Sequence, residues 1–263
     1  MSPRTYEEIS QFLNDRNAPL HISGNDNDTD EILSMSMVKS VLLYEPEEMI
    51  VRVQAGISLH ELQEILDQKG QWIPTLVAEE SPEKTLGAAV AMDHYNPRAK
   101  SCGMLRTTIL GGTFCTTDGE IFKSGSRVVK SVAGYDIHRA FCGSRGLFGV
   151  ILDLTLKVQP KPEMFFRFFA PLNMREKILR FYPSCFEEYD NKLLVEFSGF
   201  KEDITNDIEE VRRITSTEEL DEKSWYDIVQ KLSMSKKENP IPNGVKKLLS
   251  EVKRVFDPKG ILV

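Results

Sequence analysis

Glycine, hydroxyl and cationic side chains crowd into residues 124–160, SGSRVVKSVAGYDIHRAFCGSRGLFGVILDLTLKVQP. Glycines this dense, between segments that bury apolar faces, mark backbone that approaches something closely. The run Gly143-Ser-Arg-Gly146-Leu-Phe-Gly149 invites a phosphate-cradling reading, because a diphosphate held without a basic cluster needs converging backbone N–H donors. The dinucleotide fingerprint G-x-G-x-x-G follows a strand and opens a helix. Here the spacing is G-x-x-G-x-x-G, after a short predicted helix and before a strand, so a Rossmann unit is excluded. No G-x-x-x-x-G-K-[ST] occurs, and neither Ser126 nor Ser144 stands in a G-x-S-x-G context, which removes P-loop and serine-hydrolase chemistry. By itself the run also reads as a helix-to-strand turn that needs positive φ.

The titratable residues add little chemistry. The four histidines are His21, His60, His94 and His138. His60 falls on an amphipathic helix and His138 beside the Gly-Tyr-Asp turn, both as surface or packing residues; His94 and Tyr95 form the one candidate reactive pair. Arg127 and Lys130 read as strand-end charges, and Glu79-Glu80 as a solvated loop. Cys102, Cys115, Cys142 and Cys185 form no C-x-x-C pair, so neither zinc nor an iron–sulfur cluster is expected, and the thiols read as reduced. Net charge is −7 with scattered Lys and Arg, which argues against a nucleic-acid surface. No apolar run reaches the ~20 residues of a membrane span. The opening MSPRTYEEIS lacks a signal peptide's pattern, and a cytoplasmic protein is expected.

The elements that must position these residues are legible from period and caps. Thr5-x-x-Glu8 and Ser58-x-x-Glu61 are capping boxes before helices. The segment SVLLYEPEEMIVRVQAG predicts two strands, and Asp118-Gly119 a type I′ hairpin turn. Thr85 to Met92 predicts a short helix, and Asp136 caps another that ends at Gly143. Alternation from Val150 to Val158 predicts a half-buried strand. Beyond Pro162, strands are expected at FFRFFAPL and KLLVEFSGF, and helices at 173–181, 203–214, 217–232 and 245–256. The fold class is therefore α+β (mixed α/β). The expected units are 1–162, 163–235 and a linker with a returning helix at 236–263.

The order of the motifs resembles the FAD-binding domain of the vanillyl-alcohol oxidase / p-cresol methylhydroxylase (PCMH-type) superfamily. Within it, the order most resembles the FAD-binding accessory subunits of bacterial glycolate oxidases. The chain offers AGISLHELQEIL, then Thr85-Leu86-Gly87-Ala88-Ala89, Gly103-Met-Leu-Arg106, Asp118-Gly119-Glu120, Arg127-Val-Val-Lys130-Ser-Val-Ala-Gly134-Tyr135-Asp136, and finally Gly143 through Ile151. The closing DPKGILV is similar to that family's F-D-P-x-G-I-x-N-P-G. The resemblance covers residues 1–162 and loosely the last twenty. It implies a PCMH-type domain of two α/β subdomains, a shortened cap and an FAD ligand. The implied FAD contacts are Gly24, Asn25, Thr85, Leu86, Gly87, Ala88, Gly103, Arg106, Gly134, Tyr135, Gly143, Gly146, Gly149 and Val150. It also implies a larger FAD-dependent catalytic subunit as partner, with an iron–sulfur subunit beside it. The chain departs from the pattern in its diphosphate loop, Ser23-Gly24-Asn25-Asp26-Asn27-Asp28 for R-G-G-G-[ST]-x; in Ala88 for glycine; in Arg106-Thr107 for Arg-Asp; and in ending at Val263, before the Asn-Pro-Gly. A flavin-free subunit that kept the fold stands as the alternative.

Overall fold

The structure, a computed structural model, describes residues 1–24, 31–74, 84–93, 95–125, 136–236 and 243–263, without side chains at 233–236 and 243–248. Helix α1 (Tyr6–Asp15) starts where Thr5 Oγ1 accepts the Glu8 N–H at 3.1 Å. The Glu8 carboxylate reaches back to the Arg4 N–H at 2.7 Å, one residue before the usual capping-box partner. Strands β1 (His21–Ser23) and β2 (Ile32–Ser34) pair in parallel. β3 (Val41–Glu45) and β4 (Ile50–Gln54) follow, then helix α2 (Leu59–Asp67), capped by Ser58, and the short β5 (Gln71–Trp72). Helices α3 (Leu86–Met92), α4 (Ala99–Cys102) and α5 (Leu105–Thr108) lead into β6 (Ile109–Cys115), β7 (Ile121–Gly125), β8 (Val150–Lys157) and β9 (Gln159–Pro160). These build an antiparallel sheet in the order β3-β4-β8-β6-β7.

Strand β8 is central and buried on both faces, unlike the half-buried strand that its alternation predicts. Its pairing with β6 steps from Asp153↔Thr113 to Ile151↔Phe114, leaving Leu152 as an extra residue. This bulge reverses the facing of the strand. Leu154 and Leu156 therefore join the core under α2 and α3, whereas Leu152 and Val150 join a second core with Ile9, Leu13 and Leu33. Asp153, wholly buried, is held by both Arg52 Nε (2.8 Å) and the Tyr6 hydroxyl (2.9 Å). The β6–β7 turn is not type I′: among its residues only Gly119 has positive φ, and its N–H closes on Thr116 O at 3.1 Å.

The rest of the chain forms β10 (Met164–Pro171), α6 (Arg175–Ile178), β11 (Cys185–Tyr189), β12 (Lys192–Gly199), α7 (Lys201–Ile214), β13 (Glu218–Glu219), α8 (Glu222–Lys236) and α9 (Asn243–Phe256). Their antiparallel sheet runs β11-β12-β10-β13. Three expectations change here. Strand β11 has no counterpart in the sequence reading. The helix expected from 217 begins at Glu222, because Glu218-Glu219 pair with Phe168-Phe169. The helix expected over 173–181 breaks into short turns that end at Tyr182 in the left-handed region. Helix α9 lays Leu249, Val252 and Phe256 on the first core. Behind it, the buried Asp257 carboxylate accepts from Thr117 Oγ1 (2.9 Å) and from the N–H groups of Ile261 and Leu262. Among the described residues, no helix is long and apolar enough to cross a membrane.

A buried ion cluster ties the two sheets together. Arg98, before α4, donates to both oxygens of Glu196 on β12 (2.7 and 2.8 Å), and Arg167 on β10 adds a third bond at 2.8 Å. All three are under 9% exposed. Burial pushes the Glu196 carboxyl pKa up, but the Arg98 and Arg167 guanidiniums outweigh it and hold the group below its usual range. Its contribution is therefore present above the ordinary carboxylate pKa and is lost as pH falls through the depressed one. Removing one member of such a cluster leaves buried charge unpaired. Glu196→Gln should lower the unfolding free energy by about 3–5 kcal/mol in a urea titration; a loss within the scatter of surface substitutions would show that the cluster is dispensable.

Candidate functional site

The chain turns sharply after β4, and this corner assembles the site. Ala55 N–H donates to Leu152 O (2.9 Å) and Gly56 N–H to Val38 O (2.9 Å). On the other side, Ala55 O accepts Gly87 N–H (2.8 Å) and Ile57 O accepts Leu86 N–H (2.9 Å). Helix α3 is thereby docked by its first turn, with Thr85 Oγ1 capping Ala88 N–H at 3.3 Å. The C-terminal end of α3 is pinned as well: Val90 O and Ala91 O accept the N–H groups of Gly143 (3.0 Å) and Arg145 (2.8 Å). Two glycine segments far apart in sequence are thus fastened to opposite ends of one short helix.

Between them opens a cleft of about 130 Å³. Ile22, Ser23 and Gly24 form one wall, Thr85, Gly87, Ala88, Ala91 and Met92 another, and Ser144, Arg145, Gly146, Gly149 and Ile151 a third; Met35 and Ala55 also line it. The walls close because their residues are small. A Cβ on Gly24 would lie 2.2 Å from Thr85 Oγ1, and one on Gly87 would lie 3.1 Å from both Ala55 O and Ala55 Cβ. At the cleft end of β8, pairing with β4 stops at Asp153, so Val150 and Ile151 are paired only on the β6 side.

Of the residues expected at the site, Gly24, Thr85, Gly87, Ala88, Gly146 and Gly149 come together in the cleft. Leu86 and Val150 belong to its framework, with side chains wholly buried in the two cores. Gly143 stands behind, against Asp93. Gly103 and Arg106 lie off the cleft lining, where the exposed Arg106 pairs with Asp93 at 3.7 Å. Asn25, Gly134, Tyr135 and His94 lie outside the described residues. Tyr95 packs against the cluster of Cys185, Leu194 and Trp225 and does not line the cleft. The Gly87 N–H is bonded to Ala55 O. The sequence reading missed Ser144 and Arg145. Ser144 is 4% exposed, and its hydroxyl has no hydrogen-bond partner among the described residues. No imidazole or carboxylate stands among the described lining residues.

The cleft thus has small-residue walls, a strand end open on one side and a buried hydroxyl without a partner among the described residues. Residues 5–125 match the model of the FAD binding domain family. Over residues 5–125 the chain is thus similar to FAD binding domains. It is 30% identical over 179 residues to glycolate oxidase subunit GlcE of Escherichia coli (strain K12), covering 65% of this chain and 49% of that one. It is 29% identical over 166 residues to D-lactate dehydrogenase of Anaerostipes hadrus, covering 63% of this chain and 34% of that enzyme. The chain thus matches half or less of these curated relatives. A solved structure of alkyldihydroxyacetonephosphate synthase superposes over 99% of this chain and 74% of its own, with a TM-score of 0.69 at 16% identity, a likeness of fold.

Two expectations follow. Gly24→Ala should displace the Thr85 cap and cost about 1 kcal/mol or more; in a double-mutant cycle with Thr85→Ala, most of that cost should vanish. Additive losses would mean that the two residues do not press on each other. The second concerns His138, buried at the foot of β7. Ser124 Oγ accepts the His138 backbone N–H (3.0 Å) and sits 3.2 Å from Nδ1. Burial lowers the imidazole pKa, against Asp136, which raises it; Arg139 lowers it further. The native ring stays neutral where the unfolded one takes a proton. Stability should be full above the ordinary histidine value of ~6.5 and decline as pH falls through it. Urea titrations across that range should show the decline in the parent and a flatter response in His138→Gln. Parallel pH responses would exclude this histidine as the cause.

Proposed function

We propose that this chain is the FAD-binding accessory subunit of a glycolate oxidase-like 2-hydroxy acid oxidoreductase. Its partners in this reading are a larger FAD-dependent catalytic subunit and an iron–sulfur subunit. Residues 1–162 form the FAD-binding unit, 163–235 a reduced cap, and 236–263 return to the first unit. The observation that carries the reading is the cleft where Gly24 and Thr85–Ala88, both within the residues matched to an FAD binding domain, converge with Ser144–Ile151. Gly24 and Gly87 keep the walls close, the open side of Val150–Ile151 receives the adenine edge, and the Ser144 hydroxyl meets a polar atom of the ligand. Bound FAD would supply a carrier that accepts and passes on electrons. With no acid or base among the cleft-lining residues, the chain's share of the work is holding and orienting. Hydride abstraction from the 2-hydroxy acid falls to the partner.

The second reading, a flavin-free interaction subunit, draws on one observation. The first-turn amides of α3 at Leu86, Gly87 and Ala88 are all spent on Ile57, Ala55 and Thr85. The visible absorption spectrum of the purified chain, with acid release of any chromophore, separates the two. Bound or readily taken-up FAD supports the first. A colourless protein that refuses added FAD establishes the second. If FAD is bound, the chain alone should reduce no dye with glycolate or lactate; turnover without a partner would overturn the accessory role.

A further inference from the structure

We propose that Ser144 and Arg145 form an anion-recognising corner of the cleft, which binds the phosphates of an adenine nucleotide, with Arg145 as the counter-charge. The proposal rests on the cleft being the FAD site and assigns its phosphate end. Four observations converge. Ser144 is 4% exposed and lines the cleft, and its buried hydroxyl has no partner among the described residues. A buried hydroxyl is costly unless bonded, so it marks the place of a ligand atom. Arg145 is the one charged side chain among the lining residues, and it forms no ion pair among the described residues.

The backbone beneath Arg145 is the third observation. Arg145 sits at φ +54°, and Gly143 and Gly146 beside it at φ +80°. Local preference would place glycine or asparagine at position 145 too. An arginine is instead held there by the N–H bonds of Gly143 and Arg145 to the end of α3. Such strain, in a turn fixed by its surroundings, points to a use for the side chain. The fourth observation is charge. The sequence after Gly24 reads Asn-Asp-Asn-Asp-Thr-Asp, three carboxylates and no cation. A phosphate group near Gly24 therefore needs its counter-charge from another segment. Gly146 adjoins Ile22, which leads into Gly24, so the Ser144–Gly146 turn stands beside that wall. The donors offered, a hydroxyl and a guanidinium fork, suit an acceptor-only group such as phosphate.

The test is calorimetric titration of the full chain, freed of any bound flavin, with ADP, FAD and riboflavin as probes. Charge-assisted hydrogen bonds of this kind are worth roughly tenfold or more in affinity. Arg145→Met should weaken ADP and FAD by about that factor at low salt, less at high salt, and leave riboflavin unchanged. Arg145→Gly should lose the same affinity while melting no lower than the parent, because glycine relieves the left-handed strain. Ser144→Ala should lose affinity severalfold without loss of stability. Parent-like ADP and FAD binding by Arg145→Met overturns the corner and leaves the FAD reading standing. ADP binding that is lost in Arg145→Met, with no flavin bound by the parent, upholds the corner and overturns the FAD reading. A parent that binds none of the probes overturns both.

Discussion

The cleft depends on three peptide units, Ala55 to Ile57, where strand β4 ends and the chain turns under α3. Each peptide bonds to a different element: Leu152 of β8, Val38 before β3, and the first turn of α3. The packing leaves no room at Gly56, whose added Cβ would lie 1.9 Å from Met35 O. Net, each backbone bond contributes only about 1 kcal/mol. Their value is positional: they fix the distance between the Gly24 wall, α3 and the end of β8. Close backbone approach of this kind excludes side chains, and it explains why glycine recurs where the segments meet.

The second sheet is held to the first by charge as well as by apolar contact. Arg98 lies over Trp72 and Phe165 (5.1 and 5.7 Å to the ring centroids), and Arg167 over Phe165, Trp225 and Tyr226. Glu196 is locked between the two guanidiniums. Taking three charges out of water is expensive, and a well-packed apolar cluster could be equally stable. What the cluster adds is directional. The paired bonds from Arg98 Nε and Nη2 to the two Glu196 oxygens have a fixed fork geometry, which constrains how β12 seats against Arg98.

The cleft itself is chemically quiet. Its described walls are alanine, glycine, methionine and isoleucine, its polar features a threonine already used as a cap, Ser23, the buried Ser144 and one arginine.

Local features were legible in the sequence because they are written in neighbouring residues. The Thr5 and Ser58 caps and the apolar stripe of α2 need only spacing to be read. So does the order of glycine motifs, which carried the family resemblance. Whatever depends on residues meeting across the fold was decided by tertiary structure. The alternation in β8 could not announce the bulge at Leu152, which arises from its register with β6. The Gly87 N–H is taken by Ala55 O, a partner that no local pattern shows. Ser144 and Arg145 gained meaning only when the turn was docked on α3, because burial without a partner and strain at positive φ are properties of a place, not of a residue type.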